Sequence, residues 1–136
     1  MRSDETGELA AALAAAQLAI KTPPKDKQVK TPRYTYRYAD LPTIIDAIRQ
    51  PLADAGLAVS QTTVIDGADL SLRTTLLHSS GQWIQGSYPL PDLDSPQAMG
   101  SAMTYARRYC LCAILGIAAD EDDDGQAAMD EAPQPR

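Results

Sequence analysis

Three strand-like runs in succession constrain this chain more than any other feature. Residues 57–65, 70–78 and 82–88 are separated only by residues 66–69, with a turn at Asp66-Gly67, and by Ser79-Ser80-Gly81. Turns this short join antiparallel neighbours, so the spacing predicts a three-stranded β-meander. Helical patterns flank it. Leu9, Leu13, Ala16 and Ile20 recur at helical spacing over 7–21, and Thr22, Pro23 and Pro24 stop the pattern. Asp40, with Pro42 behind it, opens a second helix carrying Leu41, Ile44, Ile45, Ile48 and Leu52 on one stripe. Pro51 is expected to kink or end that helix near Gln50, and Gly56 to cap it. Ser95 and Pro96 start a third helix, which runs to about Leu115 and closes at Gly116. Residues 34–39 read as a short strand or extended arm, and 22–33 as a polar, basic loop without apolar period. The expected class is therefore α+β, an antiparallel three-stranded β-meander flanked by helices.

Composition narrows the choices. At 136 residues and 44% hydrophobic content the chain can bury one core and is not disordered as a whole. Residues 1–6 are expected to fray, 7–119 to form the domain, and 120–136 to be an acidic, disordered tail. No apolar run is long enough to span a membrane. Asp4, Glu5 and Glu8 ahead of the Ala-rich start argue against a secretory signal. The net charge of −6 resides entirely in 120–136, where seven acids meet one base. By contrast, Lys21, Lys25, Lys27, Lys30, Arg33 and Arg37 face one acid, Asp26, across 21–37. A basic segment near the start and an acidic end say more about partners than the overall charge does.

Two constellations suit nucleic acid. Lys25, Lys27, Lys30 and Arg33 run into Tyr34, Tyr36, Arg37 and Tyr38. Cations neutralise phosphates, and aromatic faces stack on unpaired bases without reading them. The competing reading is a solvated loop followed by core tyrosines. In the third helix, Met99, Ala102, Met103, Ala106, Cys110, Ala113 and Ile114 form a stripe expected to pack on the sheet. Ser101, Thr104, Tyr105 and Arg108 fall opposite, flanked by Gly100 and Arg107. Arg107 and Arg108 can grip phosphates with planar forks, or pair with Asp40 or the acidic tail.

Other chemistry finds little footing. Asp120, Glu121, Asp122, Asp123 and Asp124 are contiguous, without the spacing of a calcium loop. Cys110 and Cys112 point to different sides of a helix and read as buried thiols. His78 has no nucleophile placed beside it by any motif, and there is no Walker A loop. No cofactor, metal or catalytic group is expected.

Three stretches together carry a resemblance. YRYADLPTIIDAIRQPLADAGLAVSQ (36–61), LRTTLLHSSG (72–81) and PQAMGSAMTYARRYCLCAILGIAADEDDDG (96–125) resemble the ERF (essential recombination function) family of phage single-strand annealing proteins. The most specific part is a GSA-x-TYARRY-x-L helix followed by GI and DDDG. The resemblance implies ATP-independent binding and annealing of single-stranded DNA in phage recombination, by a protein that is not an enzyme. It also implies a core like that of the wider annealing superfamily and homo-oligomers in a ring or filament. A cytoplasmic setting follows, with a single-strand-binding protein or an exonuclease as further partners to look for. Matching positions are Tyr36, Tyr38, Ala39, Gly100, Ser101, Thr104, Tyr105, Arg107, Arg108 and Tyr109. Joined with the residue-level reading, the expected DNA contacts are Lys25, Lys27, Lys30, Arg33, Tyr36, Arg37, Tyr38, Ser101, Thr104, Tyr105, Arg107 and Arg108. The rival is a protein-interaction module of a replication or recombination complex, docking through its acidic tail. A third reading, a magnesium-dependent nuclease built on Asp120 to Asp124, suffers from poor preorganisation.

Overall fold

A computed structural model describes residues 1–33 and 35–120. The element order is α1 (Gly7–Ala19), β1 (Lys27–Lys30), β2 (Thr35–Tyr38), α2 (Leu41–Asp54), β3 (Leu57–Asp66), β4 (Asp69–His78), β5 (Trp83–Pro89) and α3 (Pro96–Leu115). Strands β3, β4 and β5 form the expected antiparallel meander, with β4 central. Asp66 pairs with Asp69, so the tight loop is Gly67-Ala68, one residue later than the sequence suggests.

The second sheet is a correction. Residues 22–33 contain β1, which pairs with β2 in a two-stranded antiparallel sheet. Lys27–Lys30 reads KQVK, and its single apolar residue, Val29, sits opposite Tyr36. One inward side chain is too few to show as a period of two. The amino terminus is a second correction. Rather than fraying, it lies along β5: Ser3 N–H donates to the Trp83 carbonyl at 2.9 Å, and Gln85 N–H to Met1 at 2.9 Å. This covers part of one sheet edge.

The helices pack on one another and on the sheet through a core of Ala16, Leu41, Ile44, Ile48, Leu52, Leu57, Leu76, Leu111 and Leu115. Each fully buried aliphatic side chain stabilises by about 1.5–3 kcal/mol. Asp40 caps α2, accepting from Thr43 N–H at 3.1 Å and from the Thr43 hydroxyl at 2.6 Å. Pro51 does not end α2, which runs to Asp54. Leu52 must stay one turn beyond Ile48 to reach the core, and both are buried. Gly56 then turns the chain with φ 72°, and a Cβ there would meet Ser79 Oγ at 2.9 Å. Ser79 N–H donates to the Gly56 carbonyl at 2.9 Å, which ties the entry of β3 to the β4–β5 turn.

Helix α3 departs from its expected single apolar stripe. Ala106 is buried and Met103 and Cys110 pack beside it against Leu72 and Leu90, as that stripe requires. Ala113, assigned to the stripe, is exposed, and a second buried face consists of Arg108, Leu111, Cys112 and Leu115. The helix is wedged between the sheet on one side and α2 with the 117–120 segment on another. No helix among the described residues is long and apolar enough to cross a membrane.

Candidate nucleic-acid interface

The β1–β2 register sorts the basic segment into two faces. Val29 pairs with Tyr36 and Lys27 with Tyr38, whereas Gln28 pairs with Arg37 and Lys30 with Thr35. Paired residues of an antiparallel ladder share a face. Tyr36 therefore points inward and is 5% exposed. This corrects its expected role as a stacking surface. Lys30, Thr35 and Arg37 share the outward face and are exposed, as is Arg33 in the connection. Lys25 is half-buried. Lys27 lies 3.9 Å from the Asp40 carboxylate. The Asp40 carboxyl is held below its usual range, first by the Thr43 hydroxyl and more weakly by Lys27. Tyr34 lies outside the described residues.

The twin arginines of α3 go to different places. Arg108, expected on an open polar face, is 2% exposed. Its guanidinium donates through Nη1 to the Asp120 carboxylate. It also lies 4.6 Å from the centre of the Tyr38 ring and 5.8 Å from that of Tyr105. The Nε and Nη2 groups have no hydrogen-bond partner among the described residues, so the rings stand where further acceptors would. The correction has a physical reason. Residues 117–120 fold back over this face: Ala39 N–H donates to the Ala119 carbonyl at 2.7 Å, and Tyr38 bridges Asp120. A buried guanidinium with a carboxylate is held in place, because losing either partner leaves an uncompensated charge.

Arg107, about 100° around the helix from Arg108, is exposed. Its Nε lies 3.5 Å from Gln61 Oε1, while Gln61 Nε2 donates to the Arg107 carbonyl at 3.0 Å and to Thr74 at 3.1 Å. Arg107 and Arg49 flank an open groove of about 380 Å³ floored by Ile45, Ile48, Leu52, Val59 and Leu111. Thr104 is exposed but bonds its hydroxyl back to the Gly100 carbonyl at 3.0 Å. Ser101 is half-buried.

The structure thus brings Tyr38, Arg108 and Tyr105 together and sends Arg107 elsewhere. Three residues outside the expected set belong to the same neighbourhoods. Asp120 anchors Arg108, and Gln61 orients Arg107. Tyr109 stacks on Tyr105 at a centroid distance of 5.3 Å and an interplanar angle of 23°. Two of them carried a signal in the sequence: Asp120 opens the acidic tail offered above as an alternative partner for the arginines, and Tyr109 stands four residues after Tyr105 in one helix, a spacing at which pairing is a general rule. Burial, followed by the neighbouring Tyr109 and Tyr88, pushes the Tyr105 phenol up to about 12.

The weaker candidates resolve simply. Cys110 and Cys112 are free, and burial pushes the Cys112 thiol up to about 11, away from nucleophilic character. His78 Nδ1 accepts from Ser80 N–H at 3.1 Å within its turn. Among the described residues no group of three or more His, Cys, Asp or Glu could hold a metal ion. Residues 121–124 of the acidic run, and the rest of the expected tail, lie outside the described residues.

No curated protein and no solved structure matches the chain. A family model does: that of the ERF superfamily, whose function is of the phage recombination and annealing type, matches residues 9–136. The match takes in all but the first two residues of α1, every later element and both arginines, and on that extent the chain belongs to the ERF superfamily.

Proposed function

We propose that this protein binds single-stranded DNA and anneals complementary strands without ATP, as a homo-oligomer, and performs no bond chemistry. The observation that carries the reading is the alternation of the β1–β2 sheet. It turns Tyr36 into the fold and leaves Lys30 and Arg37 on one exposed face, diagonal across the ladder, with Arg33 in the adjoining connection. Cations on an open surface hold phosphates and leave base edges free to pair, as annealing requires. Arg107 supplies a further phosphate contact, prepositioned by Gln61. Arg108 acts through the fold, holding Tyr38 and the 117–120 segment against α3. Arraying copies in a ring or filament would multiply these few contacts along one strand.

The test is annealing of two complementary labelled oligonucleotides without ATP or metal, at two salt concentrations. The parent protein accelerates the reaction, less so at the higher salt. A Lys30→Ala, Arg37→Ala variant binds single strands more weakly, and its salt slope is shallower by about 0.7 per phosphate contact removed. A folded protein that gives no acceleration contradicts the proposal and favours a protein-docking role.

A further inference from the structure

The meander has two edges, and the fold treats them differently. Leu90 N–H donates to the Leu70 carbonyl at 2.9 Å, so the even-numbered residues of β4 bond β5 and the odd-numbered ones bond β3. On β5 the outward backbone groups then belong to Trp83, Gln85, Ser87 and Pro89. Those of Trp83 and Gln85 are bonded by Ser3 and Met1, and Pro89 has no N–H. On β3 the outward backbone groups belong to Leu57, Val59, Gln61, Thr63 and Ile65. None of these has a hydrogen-bond partner among the described residues.

Strand β3 carries none of the devices that keep an edge single. Its ladder with β4 runs from Leu57 to Asp66 without a bulge, and residues 57–65 contain no proline and no charge. Whatever pairs with it must match that uncharged run. The short β1, with a lysine at each end, does not, and neither does the acidic sequence beyond Asp120. A nucleic-acid strand does not match either, because the strand itself offers no cation to a phosphate. A second β3 does. It is uncharged and open along its whole length, and two such edges meet without like charges in register.

Resting on the homo-oligomer part of the reading above, we propose that β3 pairs antiparallel with β3 of a second copy, about a twofold axis at Gln61. Centred there, Leu57 faces Ile65 of the second copy, Val59 faces its Thr63, and Gln61 faces its Gln61. Every outward group then finds a partner, and a shift either way leaves some unpaired. The same register gives an exposed side chain a place. Ile65 is 76% exposed and lies on the sheet face of Leu57 and Val59. Those two residues line the open apolar groove of about 380 Å³. Pairing brings Ile65 of each copy to the groove of the other. The two Arg107 side chains, each tethered to its own Gln61, come to flank the axis. Their repulsion is screened in solvent, and together they offer a bound strand phosphate contacts from two copies. A twofold contact closes on itself, so pairs are the unit from which a second contact would build a ring or filament.

The experiment is sedimentation of the parent, Thr63→Pro and Ile65→Lys proteins over a range of concentrations, with oxidative cross-linking of Gln61→Cys and Ile65→Cys. The Thr63 N–H points away from β4, so proline there spares the chain's own ladder and blocks the second copy. The parent sediments as pairs or multiples of pairs, and each of the two variants raises the dissociation constant of the pair about tenfold or more. Gln61→Cys gives a disulfide-linked dimer, since the Cα atoms of a facing, hydrogen-bonded pair lie about 5.5 Å apart. Ile65→Cys gives no more dimer than the parent, its counterpart lying about 27 Å away along the strands. If Thr63→Pro fails to fold, Ile65→Lys carries the test, because Ile65 is exposed. An oligomer unchanged by the folded variants overturns the inference and leaves the homo-oligomer reading standing. So does a Gln61→Cys protein that forms no cross-link, which moves the contact to another register or surface. A parent that is monomeric at every concentration overturns both.

Discussion

Arg107 and Arg108 are adjacent in one helix and share a side-chain chemistry, yet they live in opposite surroundings. Arg108 is shut between two tyrosines and a carboxylate, at 2% exposure. Arg107 stands in solvent, tethered by a glutamine amide. The difference comes from what folds over each side of α3. The 117–120 segment and β2 close over Arg108, whereas the Arg107 side opens onto the groove beside α2 and β3. A paired-arginine motif in a binding protein thus need not be a paired contact. One member can hold the surface together while the other stays open to solvent.

The comparison can be broken in three ways. The largest expected effect is on the buried side. Asp120→Ala strands the Arg108 charge in the interior, and urea unfolding should show a loss of about 3 kcal/mol. A change below about 0.5 kcal/mol would place Arg108 among ordinary surface residues. Arg107→Ala comes next and acts on a different observable. Its unfolding free energy stays within about 0.5 kcal/mol of the parent. Its single-strand affinity falls, with a salt slope shallower by about 0.7. A destabilised Arg107→Ala with unaltered slope would reverse the assignment.

The smallest effect lies at the base of the hairpin, where Asp40→Ala removes the α2 cap at about 1 kcal/mol. Its sign with pH is fixed by the Asp40 carboxyl sitting below its ordinary 3.8, chiefly through the Thr43 hydroxyl. The ionised cap contributes fully above about pH 3.8 and fades as pH falls through the lowered value. The gap between parent and variant in unfolding experiments should therefore narrow below that pH. A gap that widened on acidification would contradict the capping role.

Much of the meander was legible in the sequence, because strand-like runs rich in β-branched and apolar residues between short Gly-bearing turns admit few other pairings. The caps at Asp40 and Ser95 were legible for a similar reason, since their hydrogen bonds reach only three residues ahead. What escaped notice was non-local or brief. Strand β1 has one inward residue, Val29, and Pro51 continues its helix because Leu52 has a core site to fill. The burial of Arg108 depends on Asp120, twelve residues away, and on β2, and helix periodicity alone sees neither. The exposed cations of the hairpin were legible as composition. Their segregation from Tyr36 required the register with β1.

The most direct test of the central claim is urea unfolding of Arg107→Ala and Arg108→Ala side by side. The separation of roles predicts a first variant within about 0.5 kcal/mol of the parent. The second should be less stable by about 3 kcal/mol, from the lost ion pair and the void between Tyr38 and Tyr105. Equal losses, or an unaffected Arg108→Ala, would contradict the division of labour between the two arginines.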